Sequence, residues 1–111
     1  MIAKAQGRYI RMSPMKMRQV IDLIRGKDVA ASSVILTHVN KRATRDVQKV
    51  LNSAVSNAKQ KGLNEDQLFI SKIIADQGPM WKRYRAASFG RATEILKRTT
   101  HLIVELDLIT K

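Results

Sequence analysis

The sequence predicts an α+β fold, in which helices cover one face of a β-sheet and a long β-hairpin protrudes from the body. Three stretches between Ser13 and Gly62 place apolar residues at helical spacing, and strand patterns lie before and after them. A basic segment between the last two strands shows no alternation that would supply a buried face. The chain has 111 residues, enough for one core, so residues 1–111 are predicted to form a single domain.

The first helix is predicted to begin at Ser13-Pro14. A serine oxygen can cap free N–H groups, and proline suits the first helical position. Gly26 is expected to end this helix. Its apolar stripe consists of Met17, Val20, Ile21 and Ile24.

Two further helices are expected. A short one follows Asp28 as its cap, and a longer one runs from Asn40 as its cap to Gly62. The predicted buried face of the short helix comprises Ala31, Val34 and Ile35. That of the long helix comprises Ala43, Val47, Val50, Leu51, Ala54 and Ala58.

Strand patterns occupy both ends of the sequence. Residues 3–12 are predicted to form an edge strand, and residues 68–74 are rich in β-branched and aromatic side chains until Gly78-Pro79 interrupts them. The last strand pattern predicts a sheet with one face on the core and one in water. In it, Leu102, Val104, Leu106 and Leu108 alternate with His101, Ile103, Glu105 and Asp107.

The segment between the last two strands is predicted to project as a hairpin from about residue 76 to residue 95. Pairing centred near Arg85 would place Leu68 opposite Leu102 and Asp76 opposite Glu94. Each side of that hairpin would extend about 50 Å at about 3.3 Å per residue, whereas a compact chain of this length has a radius of gyration of about 13 Å. An isolated ribbon is marginal in water, so a partner is expected to surround it.

The net charge indicates the kind of partner. Lys and Arg number 21 and Asp and Glu number 9, which gives a net charge of +12 and a pI near 10.6. Such a charge weakens a compact protein unless a polyanion neutralises it, and nucleic acid is the commonest polyanion. The sequence shows no Cys, no signal-peptide pattern and no membrane-length apolar run, so a soluble, intracellular protein is expected.

Residues that could carry catalysis are few. Neither His38 nor His101 shows a metal-ligand spacing, and they are interpreted as a helix-end residue and a strand-face residue. Asp76 and Glu94 would neighbour each other across the hairpin, but without an apolar pocket they are interpreted as solvated charges. We therefore expect no catalytic residue, no metal and no cofactor.

Aromatic and basic side chains are mixed in the predicted arm. Aromatic rings stack on unpaired bases, while Lys and Arg contact phosphate, which is the usual chemistry of RNA recognition. Exposing such rings without a partner is unfavourable, so this segment is predicted to bind RNA. Its members are Trp81, Tyr84 and Phe89 together with Lys82, Arg83, Arg85 and Arg91.

A second basic group lies in the first part of the chain and near the base of the arm. These cations are expected to form one phosphate-binding surface. They are Lys4, Arg8, Arg11, Lys16, Arg18, Arg25 and Lys27, joined by Lys97 and Arg98. A weaker candidate patch on the third helix comprises Lys41, Arg42, Arg45 and Lys49, partly offset by Asp46.

Short fragments along nearly the whole chain form a specific combination. They are Ser13-Pro14 with Lys16 and Arg18, Asp22-Leu23-Ile24-Arg25-Gly26-Lys27, Lys49-Val50-Leu51-Asn52-Ser53-Ala54 with Asn57-Ala58, Gly78-Pro79, Lys82-Arg83, Gly90-Arg91-Ala92 and Lys97-Arg98-Thr99-Thr100-His101. In this combination the chain resembles the family of large ribosomal subunit protein twenty-two, a universal ribosomal protein family.

That resemblance implies three helices on a three-stranded antiparallel sheet, with a long hairpin that reaches into large-subunit rRNA and lines the nascent-peptide exit tunnel. It implies a structural protein, not an enzyme, that aids rRNA assembly in a cytoplasmic ribosome, bacterial or organellar. The expected partners are large-subunit rRNA, neighbouring ribosomal proteins and the nascent peptide, without membrane or DNA. Carried over by position, Lys82, Arg83, Gly90 and Arg91 belong to the tunnel hairpin, and Lys97, Arg98 and His101 to its base.

The hairpin tip departs from the family pattern. Where the family commonly reads Pro-Arg-Ala-Arg before Gly-Arg-Ala, this chain reads Ala86-Ala87-Ser88-Phe89 before Gly90-Arg91-Ala92. Two charges and a proline are missing, so we expect fewer phosphate contacts and more stacking at the tip. The predicted tip residues are Trp81, Tyr84, Ala86, Ala87, Ser88, Phe89 and Gly90.

Two other functions share part of this pattern. A DNA-binding architectural protein would place the same basic ribbon in a groove of duplex DNA. A small RNA-modifying enzyme would need a pocket motif, and the sequence shows none. Preference for duplex DNA over folded rRNA would favour the first alternative, and cofactor-dependent turnover would favour the second.

Overall fold

A helical layer packs on one face of an antiparallel sheet in the computed structural model, which describes residues 2–79, 81–86 and 92–109, with 81–86 and 92–97 described as backbone. This arrangement confirms the predicted α+β class. In chain order the elements are β1 (Ala3–Ile10), α1 (Pro14–Ile21), α2 (Val29–His38), α3 (Arg42–Lys59), a 3-10 turn (Glu65–Gln67), β2 (Leu68–Gln77), β3 (Trp81–Ala86), β4 (Ala92–Lys97) and β5 (Thr100–Leu108).

The main sheet has the strand order β1-β5-β2, and both pairings are antiparallel. On β5, Leu102, Val104 and Leu106 point to the helices and are fully buried, as the alternation predicts. Leu108, at the end of the strand, is 36% exposed. The opposite face, which we call the outer face, carries His101, Ile103, Glu105 and their cross-strand neighbours on β1 and β2.

Helix α1 begins where the sequence predicts and ends earlier. Ser13 is its N-cap, and the Ser13 hydroxyl accepts a hydrogen bond from the Lys16 N–H at 3.4 Å. Regular helix stops at Ile21. Tighter bonds then take over, including Ile24 N–H to the Ile21 carbonyl at 3.2 Å, and they keep Ile24 fully buried before the turn closes at Gly26.

The predicted buried face of α2 is wrong. The helix buries Val29, Ser32 and Leu36, whereas Ala31 and Val34 are exposed and Ile35 is half-buried. Apolar residues lie on two faces of α2. The face with Val29 and Leu36 also contains Ser32, so the sequence favoured the other face as the buried one. Because the Ser32 hydroxyl donates to the Asp28 carbonyl at 2.8 Å, Ser32 has a partner within the helix and tolerates complete burial.

Helix α3 has the predicted stripe and a cap shifted by one residue. Its N-cap is Lys41, not Asn40, and it makes no side-chain cap bond. At the other end the Leu63 N–H reaches the Ala58 carbonyl and the Gly62 N–H reaches the Lys59 carbonyl, which is a Schellman ending. Gly62 takes a φ of 81°, as this ending requires. The stripe residues Ala43, Val47, Val50, Leu51, Ala54 and Ala58 are all buried.

The predicted hairpin register is wrong. Leu68 lies opposite Leu108 and Asp76 opposite His101, while Glu94 lies opposite Tyr84. The pairing is centred midway between Ala86 and Ala92 rather than at Arg85. Burial sets this register, because the inward residues of β2 must meet the inward residues of β5. These pairs are Leu68 with Leu108, Ile70 with Leu106, Ile73 with Val104 and Ala75 with Leu102.

Strands β3 and β4 form a separate two-stranded sheet, which we call the arm. It follows the β2–β5 ladder, whose last pair is Gln77 with Thr100, and its own first pair is Trp81 with Lys97. The molecule measures 66 × 25 × 17 Å, with a radius of gyration of 17.1 Å, against about 13 Å for a compact chain of this length. The range 76–95 proposed from the sequence includes residues outside those described, so its extent stays a prediction.

Candidate nucleic-acid interface

The base of the arm is fixed to the body by backbone and hydroxyl bonds. The Gly78 N–H donates to the Thr99 carbonyl at 2.9 Å, and the Thr99 hydroxyl donates to the Pro79 carbonyl at 2.6 Å. The buried Thr100 hydroxyl donates to the Met12 carbonyl at 2.5 Å. A side chain at Gly78 would place its Cβ 2.5 Å from the Thr99 hydroxyl oxygen. The two threonines and the glycine therefore set the direction in which the arm leaves the sheet.

Several predicted RNA-binding residues belong to the arm. Among them, Lys82, Arg83 and Arg85 lie in β3, and Lys97 lies in β4. Of the predicted tip, Trp81, Tyr84 and Ala86 lie in β3, whereas Ala87, Ser88, Phe89 and Gly90 lie outside the described residues, as does Arg91. Arg98, at the base, is exposed.

A cleft runs between the end of β1 and the start of α3. It has a volume of about 510 Å³ and is lined by Ile10, Arg11, Asn40, Lys41, Arg42, Arg45 and Asp46. An adjoining hollow shares Lys41 and Arg42 and also contains Lys16 and Gln19. We call this surface the basic cleft and define it by Arg11, Lys16, Lys41, Arg42 and Arg45. With Asp46 as the one carboxylate in its lining, it presents a concentrated positive potential.

The basic cleft combines cations from two separate parts of the sequence. Arg11 and Lys16 belong to the predicted phosphate-binding surface of the first part of the chain, whereas Lys41, Arg42 and Arg45 belong to the weaker candidate patch on the third helix. Folding brings the chain before α1 next to the start of α3, and the Lys41 ammonium donates to the Gln19 amide oxygen at 3.5 Å. No sequence spacing reveals this contact, because it depends on how two helices pack.

Two predicted RNA-binding arginines have structural partners on the free edge of β2. Arg18 donates to the Ala75 carbonyl at 2.9 Å, and Arg25 donates to the Ile73 carbonyl at 2.8 Å. Arg25 also pairs with Asp22 at 3.1 Å. Further along the same edge, the Lys27 carbonyl accepts from the Ile70 N–H at 3.0 Å. These contacts cover an edge that would otherwise invite pairing with another strand.

Replacing Arg18 with Ala is expected to lower the free energy of unfolding by about 1 to 2 kcal/mol, because a charged hydrogen bond to a strand carbonyl is lost. The matched control is Arg45→Ala, which removes an exposed arginine of the basic cleft. Its change should stay within about 0.5 kcal/mol. Urea unfolding of the two variants measures the difference, and equal stability would contradict the structural role of Arg18.

The remaining predicted cations lie on the outer face and at its rim. Lys4 and Arg8 are exposed residues of β1, and the Arg8 guanidinium donates to the Gln6 amide oxygen at 3.3 Å. His101 is half-buried on β5, and its Nδ1 accepts the Tyr9 N–H at 3.2 Å. The first basic group is thus divided among the outer face, the β2 edge and the basic cleft. Tyr9, which no sequence pattern singled out, lies beside His101.

Chemical groups for catalysis do not converge in the described part of the chain. No three His, Asp or Glu side chains within it lie close enough to hold a metal ion. Asp76 and Glu94 have different cross-strand neighbours, so the predicted proximity of these two carboxylates is wrong. His38 is the exposed last residue of α2. Within the same described residues, no helix has the length and apolar character needed to cross a membrane.

Comparison with known proteins gives a match over almost the whole chain. The family model described as Ribosomal protein L22p/L17e matches residues 5–107. A protein named large ribosomal subunit protein uL22 from Sulfurihydrogenibium sp. (strain YO3AOP1) is 52% identical over 104 residues, covering 94% of this chain and 90% of the relative. The protein of the same name from Halothermothrix orenii is 47% identical over 105 residues, which cover 94% of this chain and 93% of the relative. The protein of the same name from Syntrophus aciditrophicus is 50% identical over 108 residues, which cover 96% of this chain and 98% of the relative.

These matches, together with the fold, define the class as a structural, non-enzymatic protein of the ribosome. The chain belongs to the ribosomal protein L22p/L17e family. The resemblance drawn from the sequence fragments is thereby confirmed, and so is the expectation that the protein is not an enzyme.

Proposed function

We propose that this structural constituent of the large ribosomal subunit binds large-subunit rRNA through its body and its arm, aids rRNA folding during assembly, and lines the nascent-peptide exit tunnel with the arm. The observation that carries the proposal is the continuation of the β2–β5 ladder into a separate ribbon in a molecule 66 Å long. A ribbon of two strands is marginal in water, so it needs surroundings that RNA can supply. Family membership supports the same partner.

Charge supports a polyanionic partner. The net charge is +12, and part of it is concentrated in the basic cleft, on a body that is otherwise well packed. Phosphates in the cleft would relieve the mutual repulsion of Lys41, Arg42 and Arg45. A volume of about 510 Å³ suits a piece of RNA backbone of about nucleotide size.

The rigid base of the arm suggests an order of assembly. The body folds around its own core, with Thr99 and Thr100 fully buried at the base of the arm. The body would therefore dock first on rRNA through the basic cleft, and it would hold the arm in a fixed direction. The arm would then be enclosed as rRNA folds around it, with neighbouring ribosomal proteins beside the body and the nascent peptide at its tip. The expected location is the ribosome of a bacterial cytoplasm, since the relatives described are bacterial.

Competition binding tests this proposal against DNA binding. The full chain is mixed with labelled large-subunit rRNA, and unlabelled rRNA or duplex DNA of equal phosphate concentration is added at a fixed salt concentration. Unlabelled rRNA should displace the label at a lower concentration than duplex DNA, because the protein requires a folded RNA surface. Equal or better displacement by duplex DNA would contradict the ribosomal function and favour an architectural DNA-binding protein.

A further inference from the structure

Tyr9 has an unusual backbone conformation. Its φ is 57°, and it is the non-glycine residue with positive φ among those described. Large side chains avoid this region, and a residue held there is often part of a functional site. The conformation arises from a β-bulge, since the β1–β5 register shifts between Gly7 and Ile10. Bulges of this kind redirect a side chain at the edge of a sheet.

The bulge directs Tyr9 to His101. The two rings meet edge to face, with centroids 4.9 Å apart and an interplanar angle of 83°. The Tyr9 N–H donates to His101 Nδ1 at 3.2 Å, which fixes the imidazole in place. Despite these contacts, Tyr9 remains 53% exposed. Burial therefore does not explain why the chain holds an aromatic residue in a strained conformation at this position.

A cavity on the outer face adjoins these rings. Its lining combines aromatic and imidazole rings with one guanidinium, one carboxylate and one amide, and consists of Gln6, Arg8, Tyr9, Asp76, His101 and Ile103. Arg8 and Asp76 have opposite charges, so they would orient a ligand that has a charged end and a neutral end with hydrogen-bond donors. An unstacked nucleotide has this character, because its phosphate is anionic and its base is flat with N–H groups at the edge.

We propose that the Tyr9–His101 cavity binds one unpaired nucleotide of RNA, with its base stacked on the Tyr9 ring beside His101 and its phosphate at Arg8. The carboxylate of Asp76 repels phosphate and accepts hydrogen bonds from the base edge. This contact lies on the body, apart from the arm. Phosphate contacts do not distinguish one RNA site from another, whereas a contact with an unpaired base would help to select the site. The inference rests on the rRNA binding proposed above and adds its recognition of an unpaired base.

Two variants of Tyr9 separate RNA binding from folding. Gly and Asn both accept positive φ more readily than Tyr and both lack the ring. Thermal unfolding of Tyr9→Gly and Tyr9→Asn should show unchanged or higher melting temperatures. Affinity for labelled large-subunit rRNA should fall roughly 5- to 150-fold, the range of one base–aromatic stacking contact. The salt dependence of binding should stay as in the wild type, because no charge is removed.

Further variants supply the controls. Tyr9→Phe keeps the ring and should keep the affinity, and Arg8→Gln should reduce the slope of log affinity against log salt by about 0.7, as for one phosphate of a single strand. Val34→Ala removes an apolar side chain that is 59% exposed on α2. It should change neither the affinity for rRNA nor the slope of log affinity against log salt. Chemical shifts of Tyr9 and His101 in the full chain should move on addition of an unstructured RNA dodecamer. They should move less with the same dodecamer made abasic.

Three results would overturn the inference. The first is wild-type rRNA affinity in both Tyr9→Gly and Tyr9→Asn, and the second is a lower melting temperature in both, which would make the ring purely structural. The third is an equal shift response to the intact and abasic dodecamers. Each leaves rRNA binding itself standing, provided that the wild type still prefers large-subunit rRNA to duplex DNA. Loss of that preference would contradict the proposed function instead.

Discussion

Leu51→Ala is expected to lower the free energy of unfolding by about 2 to 5 kcal/mol. Leu51 is 1% exposed and lies in the middle of the α3 stripe that faces the sheet. Its truncation removes apolar contacts and leaves a cavity that a close-packed core fills only in part. Since domains of this kind are stable by only about 5 to 15 kcal/mol, the variant should unfold at a clearly lower urea concentration and temperature.

The neighbouring residue on the same helix provides the control. Asn52 is exposed, and Asn52→Ala places the best helix former at a position that makes no core contact. Its stability should equal or slightly exceed that of the wild type. A Leu51→Ala variant as stable as Asn52→Ala would show that the stripe of α3 does not form the centre of the core.

The double variant Arg83→Gln/Arg91→Gln is expected to bind large-subunit rRNA more weakly and with a flatter salt dependence. Each phosphate contact that is lost should reduce the slope of log affinity against log salt by about 0.7 to 0.9. Arg83 lies in β3, and Arg91 lies outside the described residues, so the expectation for Arg91 comes from the sequence and the family resemblance. Binding isotherms at four or more salt concentrations measure both effects.

A second double variant controls for net charge. Lys59→Gln/Lys72→Gln also removes two positive charges, from exposed positions outside the arm and the basic cleft. It should weaken binding less and leave the slope closer to that of the wild type. If both double variants had the same slope as the wild type, or lost affinity equally, the arm would not be the place where RNA phosphates are neutralised.

Local signals predicted most of the fold. Ser13-Pro14 marked the start of α1, and the alternation of β5 identified its inward residues. Helical spacing identified six buried residues of α3 but missed the buried Thr44 and Val55. Signals that depend on tertiary structure failed. Ser32 can be buried because its hydroxyl donates to the Asp28 carbonyl within α2. From the sequence alone, a serine in an apolar stripe indicates an exposed face, so the buried face of α2 was not predicted. The hairpin register required the matched inward faces of β2 and β5, which no single strand contains.

The candidate interface was predictable as chemistry but not as geometry. Composition indicates a polyanionic partner, and the fragments identified the family. Sequence could not distinguish Arg18 and Arg25, which bond to β2, from the cations of the basic cleft, because all are arginines or lysines in or near α1 and the start of α3. Tyr9 gave no signal either, since its exposure and positive φ follow from a bulge that only the paired strands define.

Cryo-electron microscopy of large ribosomal subunits that contain this chain is the most direct test of its proposed place. The basic cleft is expected to contact rRNA phosphates, and strands β3 and β4 should be enclosed by rRNA, with the segment between them at the wall of the peptide exit tunnel. An arm packed against its own helices, or extending into solvent away from any polynucleotide, would contradict this account.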